Sequence, residues 1–213
     1  RHSKAFPDHT FRLVVRPNND TYYSSAFVDV GSEPVILSLP DMKGRCAVVP
    51  LMDAWTNVFA SLGKRTTGTG AQKYIITGPA WEGALPEGLK EIKSPTELIW
   101  IIGRIQVNDS ADGKDRVAPL QDSLTLTPLS RWTDFLNSNW VIPGVKIYSI
   151  ESSPTIAALK QGTINVVEAV KKLTVEEFFG YLNELLVTNP PLPADEKAVV
   201  RFASIGVAAG GRF

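Results

Sequence analysis

The sequence predicts a mostly β protein with a helical part: a β sandwich followed by a small α-helical subdomain. Three observations carry this reading. Between about Phe11 and Asn108, apolar runs of strand length alternate with clusters of Gly, Pro, Asn and Asp. These runs are short, with turns every 8–12 residues or so, which argues for a sandwich over an α/β fold. From about Ser153 the apolar spacing changes to that of helices.

Taken in order, the expected strands are Phe11–Arg16, Ser24–Val30, Val35–Leu39, Ala47–Leu51, Asn57–Ala60, Lys73–Gly78, Glu91–Lys93 and Leu98–Val107. Gly31-Ser32-Glu33-Pro34, Pro40-Asp41-Met42-Lys43-Gly44 and Pro86-Glu87-Gly88 supply turns between them. A short helix is expected over Gly113–Asp122, then a loop through Leu129–Gly144. Thr174 with Glu177 three residues on has capping-box spacing. Phe178, Tyr181, Leu182 and Leu185 then place apolar groups on one face of the helix. Asn189-Pro190-Pro191 stops it, and a further helix is expected from Ala194 to Ser204, closed by Gly206. The expected organisation is a β sandwich over 1–130, a helical subdomain over 131–205, and a linker over 206–213 to a C-terminal module outside this chain. The chain begins at Arg1 and reads as a fragment.

Composition narrows the function classes. The chain has 213 residues, enough for a substantial core, and 22 basic residues balance 22 acidic ones. That balance offers no electrostatic footprint for nucleic acid. No apolar run approaches the length of a membrane span. Cys46 is the sole cysteine, which excludes an internal disulfide and a cysteine-based zinc cluster. Set in Arg45-Cys46-Ala47-Val48-Val49, it reads as a small buried hydrophobe. Only His2 and His9 are available as bases for a nucleophile, and no cofactor motif or metal-ligand spacing is present.

Three polar motifs are the candidate binding sites. In Asn18-Asn19-Asp20-Thr21-Tyr22-Tyr23, Asn18 and Thr21 suit self-bonded turns after Pro17. Asp20 has two readings: a buried partner of Arg16, Arg65 or Arg104, or a ligand-facing acid beside Asn19 and Tyr23. Asp53, Trp55 and Asn57 follow a strand end, where a ring beside a carboxylate and an amide suits a sugar. The alternative is that Trp55 caps the core. Arg65-Thr66-Thr67-Gly68-Thr69-Gly70 suits either an anion-binding nest, with Arg65 and Thr67 as contacts, or a tight loop. Asp20 and Asp53 could act as paired carboxylates only if about 5–10 Å apart across a cleft.

These residues also resemble a family. Pro17-Asn18-Asn19-Asp20-Thr21-Tyr22-Tyr23-Ser24 resembles the Pro-Asn-x-Asp-Thr-x-Tyr-Ser signature of domain of unknown function 1254. Leu39-Pro40-Asp41 with Gly44-Arg45, Met52-Asp53-Ala54-Trp55-Thr56-Asn57, Gly63-Lys64-Arg65-Thr66-Thr67-Gly68, Gly78-Pro79, Trp100-Ile101-Ile102-Gly103-Arg104 and Leu120-Gln121-Asp122 follow collinearly. The resemblance implies an immunoglobulin-like sandwich with a small helical subdomain, usually followed by a jelly-roll module, domain of unknown function 1214. It implies export to the periplasm, cell surface or virion. It carries no catalytic residue set. It departs at Cys46-Ala47, where relatives commonly have aromatic residues, and at Tyr22, where a smaller group is usual.

Two functions are therefore expected as rivals. One is a binding or structural module acting with its jelly-roll partner, or as a homo-oligomer. The other is a hydrolase or lyase on a carbohydrate or other polar polymer, with Asp20 or Asp53 as acid or base, Arg65 or Arg104 holding an anionic group, and Trp55 or Tyr23 as stacking platform.

Overall fold

The computed structural model describes residues 1–12, 15–132 and 154–213, which fall into two compact units, Arg1–Pro143 and Gly144–Phe213. Among its described residues the first unit contains eight strands: β1 (Thr21–Asp29), β2 (Val35–Leu39), β3 (Ala47–Met52), β4 (Val58–Gly63), β5 (Gln72–Thr77), β6 (Lys90–Lys93), β7 (Leu98–Gln106) and β8 (Thr125–Pro128). They form two four-stranded sheets, ordered β1-β7-β3-β4 and β6-β5-β2-β8. All pairings are antiparallel except β5 with β6.

Period-2 alternation builds the layer between the sheets. Ile99 and Ile101 of β7, Val49 and Leu51 of β3 and Leu62 of β4 meet Leu37 and Leu39 of β2 and Tyr74 and Ile76 of β5. Each fully buried aliphatic group of this kind stabilises by about 1.5–3 kcal/mol. Strand β2 is apolar on both faces because a second cluster lies on its other side. There Ile36, Ile75 and Leu129 pack under Trp81, Leu85, Leu89 and Trp132. The second sheet is therefore roofed by the chain between β5 and β6. Pro50 sits in an inner strand, and the β3–β7 ladder is interrupted at Val49 and Pro50, resuming at Leu51↔Ile101. Proline has no N–H to contribute there.

Several expectations need correcting. No strand forms over the described residues of Phe11–Arg16; Val15 is 98% exposed. An apolar run becomes a strand only where a neighbouring strand pairs with it. Strand β8, between the expected helix and loop, has no counterpart among the expected strands, and it pairs with β2 through Val35↔Pro128 to Ser38↔Thr125. Most of the expected Leu129–Gly144 loop lies outside the described residues. Cys46 is exposed and not a core group, because Ala47 takes the inward position at the start of β3. The expected helix begins earlier, at Asp109, whose side chain caps Asp112 N–H, and runs as α1 (Ser110–Asp112), a π-helical turn (Gly113–Val117) and α2 (Ala118–Asp122).

The second unit contains α3 (Pro154–Lys160), α4 (Val166–Lys172), α5 (Val175–Leu186) and α6 (Glu196–Phe202). The Thr174/Glu177 capping box starts α5, and an equivalent Asn165/Glu168 box starts α4. The most buried positions of α5 are Asn183 and Leu186, so its packed stripe is rotated from the expected Phe178–Tyr181–Leu182–Leu185 face, whose last three members are half-buried while Phe178 is 43% exposed. Asn183 explains the rotation. Its side chain donates to Gly206 O at 2.8 Å and accepts from Ala208 N at 2.9 Å. The Gly206–Phe213 segment, read from sequence as a linker, is held there, and Phe213 stacks on Phe179 at 4.5 Å. Among the described residues no helix is long and apolar enough to cross a membrane.

Candidate functional site

The outer face of the β1-β7-β3-β4 sheet differs from its counterpart: among the described residues no second cluster of buried apolar groups lies on it. Register places Phe27 beside Trp100, Trp100 beside Met52, and Met52 beside Val58, so one apolar row crosses all four strands. Phe27 is 70% and Val58 58% exposed. The Phe27 and Trp100 rings stack at 5.3 Å, and Trp100 Nε1 donates to Ser25 Oγ at 2.9 Å, which restrains the indole. Leu98 and Val48 add exposed apolar groups. Runs of uncovered apolar side chains are unusual on a sheet that has nothing to pack against.

The Pro17–Tyr23 motif lies at one end of this face. Thr21 Oγ1 donates to Asn18 Oδ1 at 3.1 Å and Asn18 Nδ2 donates to Thr21 O, the self-bonded turn expected of them. Asn19 and Asp20 are exposed, so the buried-partner reading of Asp20 does not hold; its carbonyl accepts Val107 N–H at 2.9 Å. Tyr23 and Arg104 are brought together across β1 and β7, the guanidinium 4.9 Å from the ring centre. Arg104 lies between two recesses of about 470 Å³ each, one lined by Phe6, Arg16, Asn18 and Tyr23 and the other by Asp20 and Cys46.

Asp53 is at the opposite end. Asp20 lies by Val107, whereas Met52 pairs with Trp100 and Asp53 follows it. Some eight residues of β7 separate the two carboxylates, about 25 Å at strand rise. They cannot act as a pair on one bond. Asp53 is 2% exposed and serves its own loop: Oδ1 accepts Trp55 N at 2.9 Å and Asn57 N at 2.8 Å, and Oδ2 accepts Asn57 Nδ2 at 3.1 Å. Trp55 projects outward from this loop, 38% exposed.

The Arg65–Gly70 loop does not point its amides at a ligand. Thr66, Thr67 and Gly68 N–H all donate to Gly63 O within 3.0 Å, and Thr67 Oγ1 accepts Gly63 N. Gly63 has φ +131°, and a Cβ there would meet Ala47 O at 2.2 Å, so only glycine closes this turn. Arg65 is exposed.

Two constellations were not found from sequence. Arg45 and Asp112, 67 residues apart, form an end-on bidentate pair: Nη1 to Oδ2 at 2.8 Å and Nη2 to Oδ1 at 2.6 Å. Arg45 Nη1 also donates to Gln106 O, and Asn108 N–H donates to Asp112. The Arg45 bonds, then the Asn108 amide, hold the Asp112 carboxyl below its ordinary value. Arg45 of this pair lines a cleft of about 720 Å³ between the Met42–Arg45 loop and the π-helical turn. A capping Asp109 three residues after β7 is the local signal in the sequence. The second is a contact of His2 Nδ1 with Ser24 Oγ at 2.8 Å, a hydroxyl–imidazole pair that sequence reasoning had discounted. Partial burial, then the nearby terminal ammonium, lowers the His2 pKa. Ser24 also accepts Gln121 Nε2, and the adjacent Ser25 N–H donates to Arg1 O. Those groups hold residues 1–3 along the edge of β1. Among the described residues no cluster of three or more His, Cys, Asp or Glu side chains is arranged to hold a metal ion.

A family model described as "Protein of unknown function (DUF1254)" matches residues 1–128. Among solved structures, the crystal structure of the VPA0106 protein from Vibrio parahaemolyticus is similar, with a TM-score of 0.67 and 26% identity over 92% of this chain. This chain spans 43% of that one. No curated protein matches. With well over half its length matched and its motifs in collinear order, the chain belongs to the DUF1254 family of proteins of unknown function.

Proposed function

We propose that this chain is a binding module whose working surface is the outer face of the β1-β7-β3-β4 sheet, and that its partner is the jelly-roll module of the same protein. The observation that carries the reading is the Phe27–Trp100–Met52–Val58 row, exposed at Phe27 and Val58 and half-buried at Trp100 and Met52, while the opposite sheet is roofed. An interface between two modules of one chain typically buries about 600–1,500 Å² and is centred on such apolar anchors. The longer Vibrio parahaemolyticus chain, of which this chain matches under half, is consistent with a further module. Export to the cell envelope, implied by the family resemblance, accompanies the proposal and is tested by fractionating the native protein.

Separately produced jelly-roll module should bind this chain in a titration followed by Trp100 fluorescence. Phe27→Asp and Val58→Asp should each weaken binding at least about tenfold, because they place a charge in the centre of a desolvated contact. Unchanged affinity in both variants would refute the docking face. Self-association of this chain alone, lost in the same variants, would instead assign the face to a second copy.

A further inference from the structure

We propose that the cleft between the Met42–Arg45 loop and the π-helical turn binds a small carboxylate-bearing, hydroxyl-rich ligand of the size of a sugar acid. The argument starts from the donors of Arg45. Asp112 takes the end-on edge of the guanidinium, and Gln106 O takes the remaining Nη1 proton. The Nε–H and the outer Nη2–H then form the side-on fork, with no partner among the described residues. That edge matches a second carboxylate bidentately. The buried Asp112 makes the fork rigid: the Arg45 side chain is only 14% exposed, yet it lines the cleft.

The surroundings set the charge of the ligand. Lys43 and Arg116 line the same cleft, and Asp115 faces it as well. Three cations against the two carboxylates of Asp112 and Asp115 leave one positive charge in excess. One carboxylate neutralises that excess, whereas a phosphate dianion would overshoot it beside Asp115. Asn108 supplies an exposed polar group for hydroxyls, and Leu120 an apolar surface for a ring. The volume lies within the range of small-molecule sites. The backbone is also unusual on both walls. Lys43 adopts φ +50°, costly for a non-glycine residue, and the opposite wall is a π-helical turn. Both features concentrate at functional sites.

Calorimetric titration of this chain with glucuronate, glucose and glucose 6-phosphate tests the assignment. Glucuronate should bind with one-to-one stoichiometry and at least about tenfold more tightly than either other probe. Lys43→Gln and Arg116→Gln, exposed positions outside the buried pair, should each weaken glucuronate by roughly three- to tenfold with the circular dichroism spectrum retained. Arg45→Lys, which keeps the charge and removes the fork, should weaken it at least as much. Equal binding of glucose, tighter binding of the phosphate, no saturable binding at millimolar ligand, or unchanged affinity in both rim variants would each overturn the proposal.

Discussion

At the residue scale, Asp112 is a buried ionisable group held by a charged partner in the first unit. Its partner Arg45 and the Asn108 amide keep it ionised in a site where only 7% of its side chain is exposed. Removing one member of a buried pair leaves the other uncompensated, so Asp112→Asn should destabilise by about 3–5 kcal/mol in urea denaturation at neutral pH. The pH dependence has a definite sign. The folded pKa lies below the unfolded value of about 3.8, so the Asp112 contribution is present in full above that value and is lost as pH falls through the lower folded pKa. The stability curves of wild type and Asp112→Asn should therefore converge in strong acid. Asp53 and Asp20 form a contrasting pair. Asp53→Ala would strand the amides of Trp55 and Asn57 and should cost about 2–3 kcal/mol. Exposed Asp20→Asn should fall within about 0.5 kcal/mol of wild type by the same assay.

At the scale of elements, the π-helical turn and β1 are fitted to each other at one glycine. A Cβ on Gly113 would stand 2.4 Å from Tyr22 Oη and 2.7 Å from its Cζ. Gly113→Ala should destabilise by about 1–3 kcal/mol. A double-mutant cycle with Tyr22→Leu should return a coupling above about 0.5 kcal/mol, showing that the contact and not helix propensity sets the loss. Elements with signals inside their own span were legible in the sequence. Strand β2 runs from Val35 to Leu39 as its flanking turns indicate, and the Thr174/Glu177 box starts α5 where the spacing placed it. Elements defined by a distant partner were not. Phe11–Arg16 has the composition of a strand, yet its described residues pair with no neighbouring strand, whereas β8 is short and poorly patterned and exists because β2 offers it an edge. The candidate site divides the same way. Turn roles for Asn18 and Thr21 follow from local bonding, but the Arg45–Asp112 pair bridges 67 residues, and the capping Asp109 beside Asp112 does not indicate the distant partner.

At the scale of the molecule, the sandwich is asymmetric. One sheet is buried on both faces, by the intersheet core and by the Trp81–Leu89 cover. The other buries one face and presents an aromatic and aliphatic row on the second. Alternation read from sequence identified which side chains share a face, but not which of two apolar faces the rest of the chain covers. In the proposed function, a second module covers the face left open. Alkylation kinetics test it most directly, with Val58→Cys as the reporter in a Cys46→Ser background that removes the exposed native thiol. With Val58 at 58% exposure, the thiol in this chain alone should react as an open surface group. When the jelly-roll module is present in the same protein, the rate should fall at least about tenfold, as expected for the centre of a desolvated contact. Equal rates with and without that module would contradict the docking face.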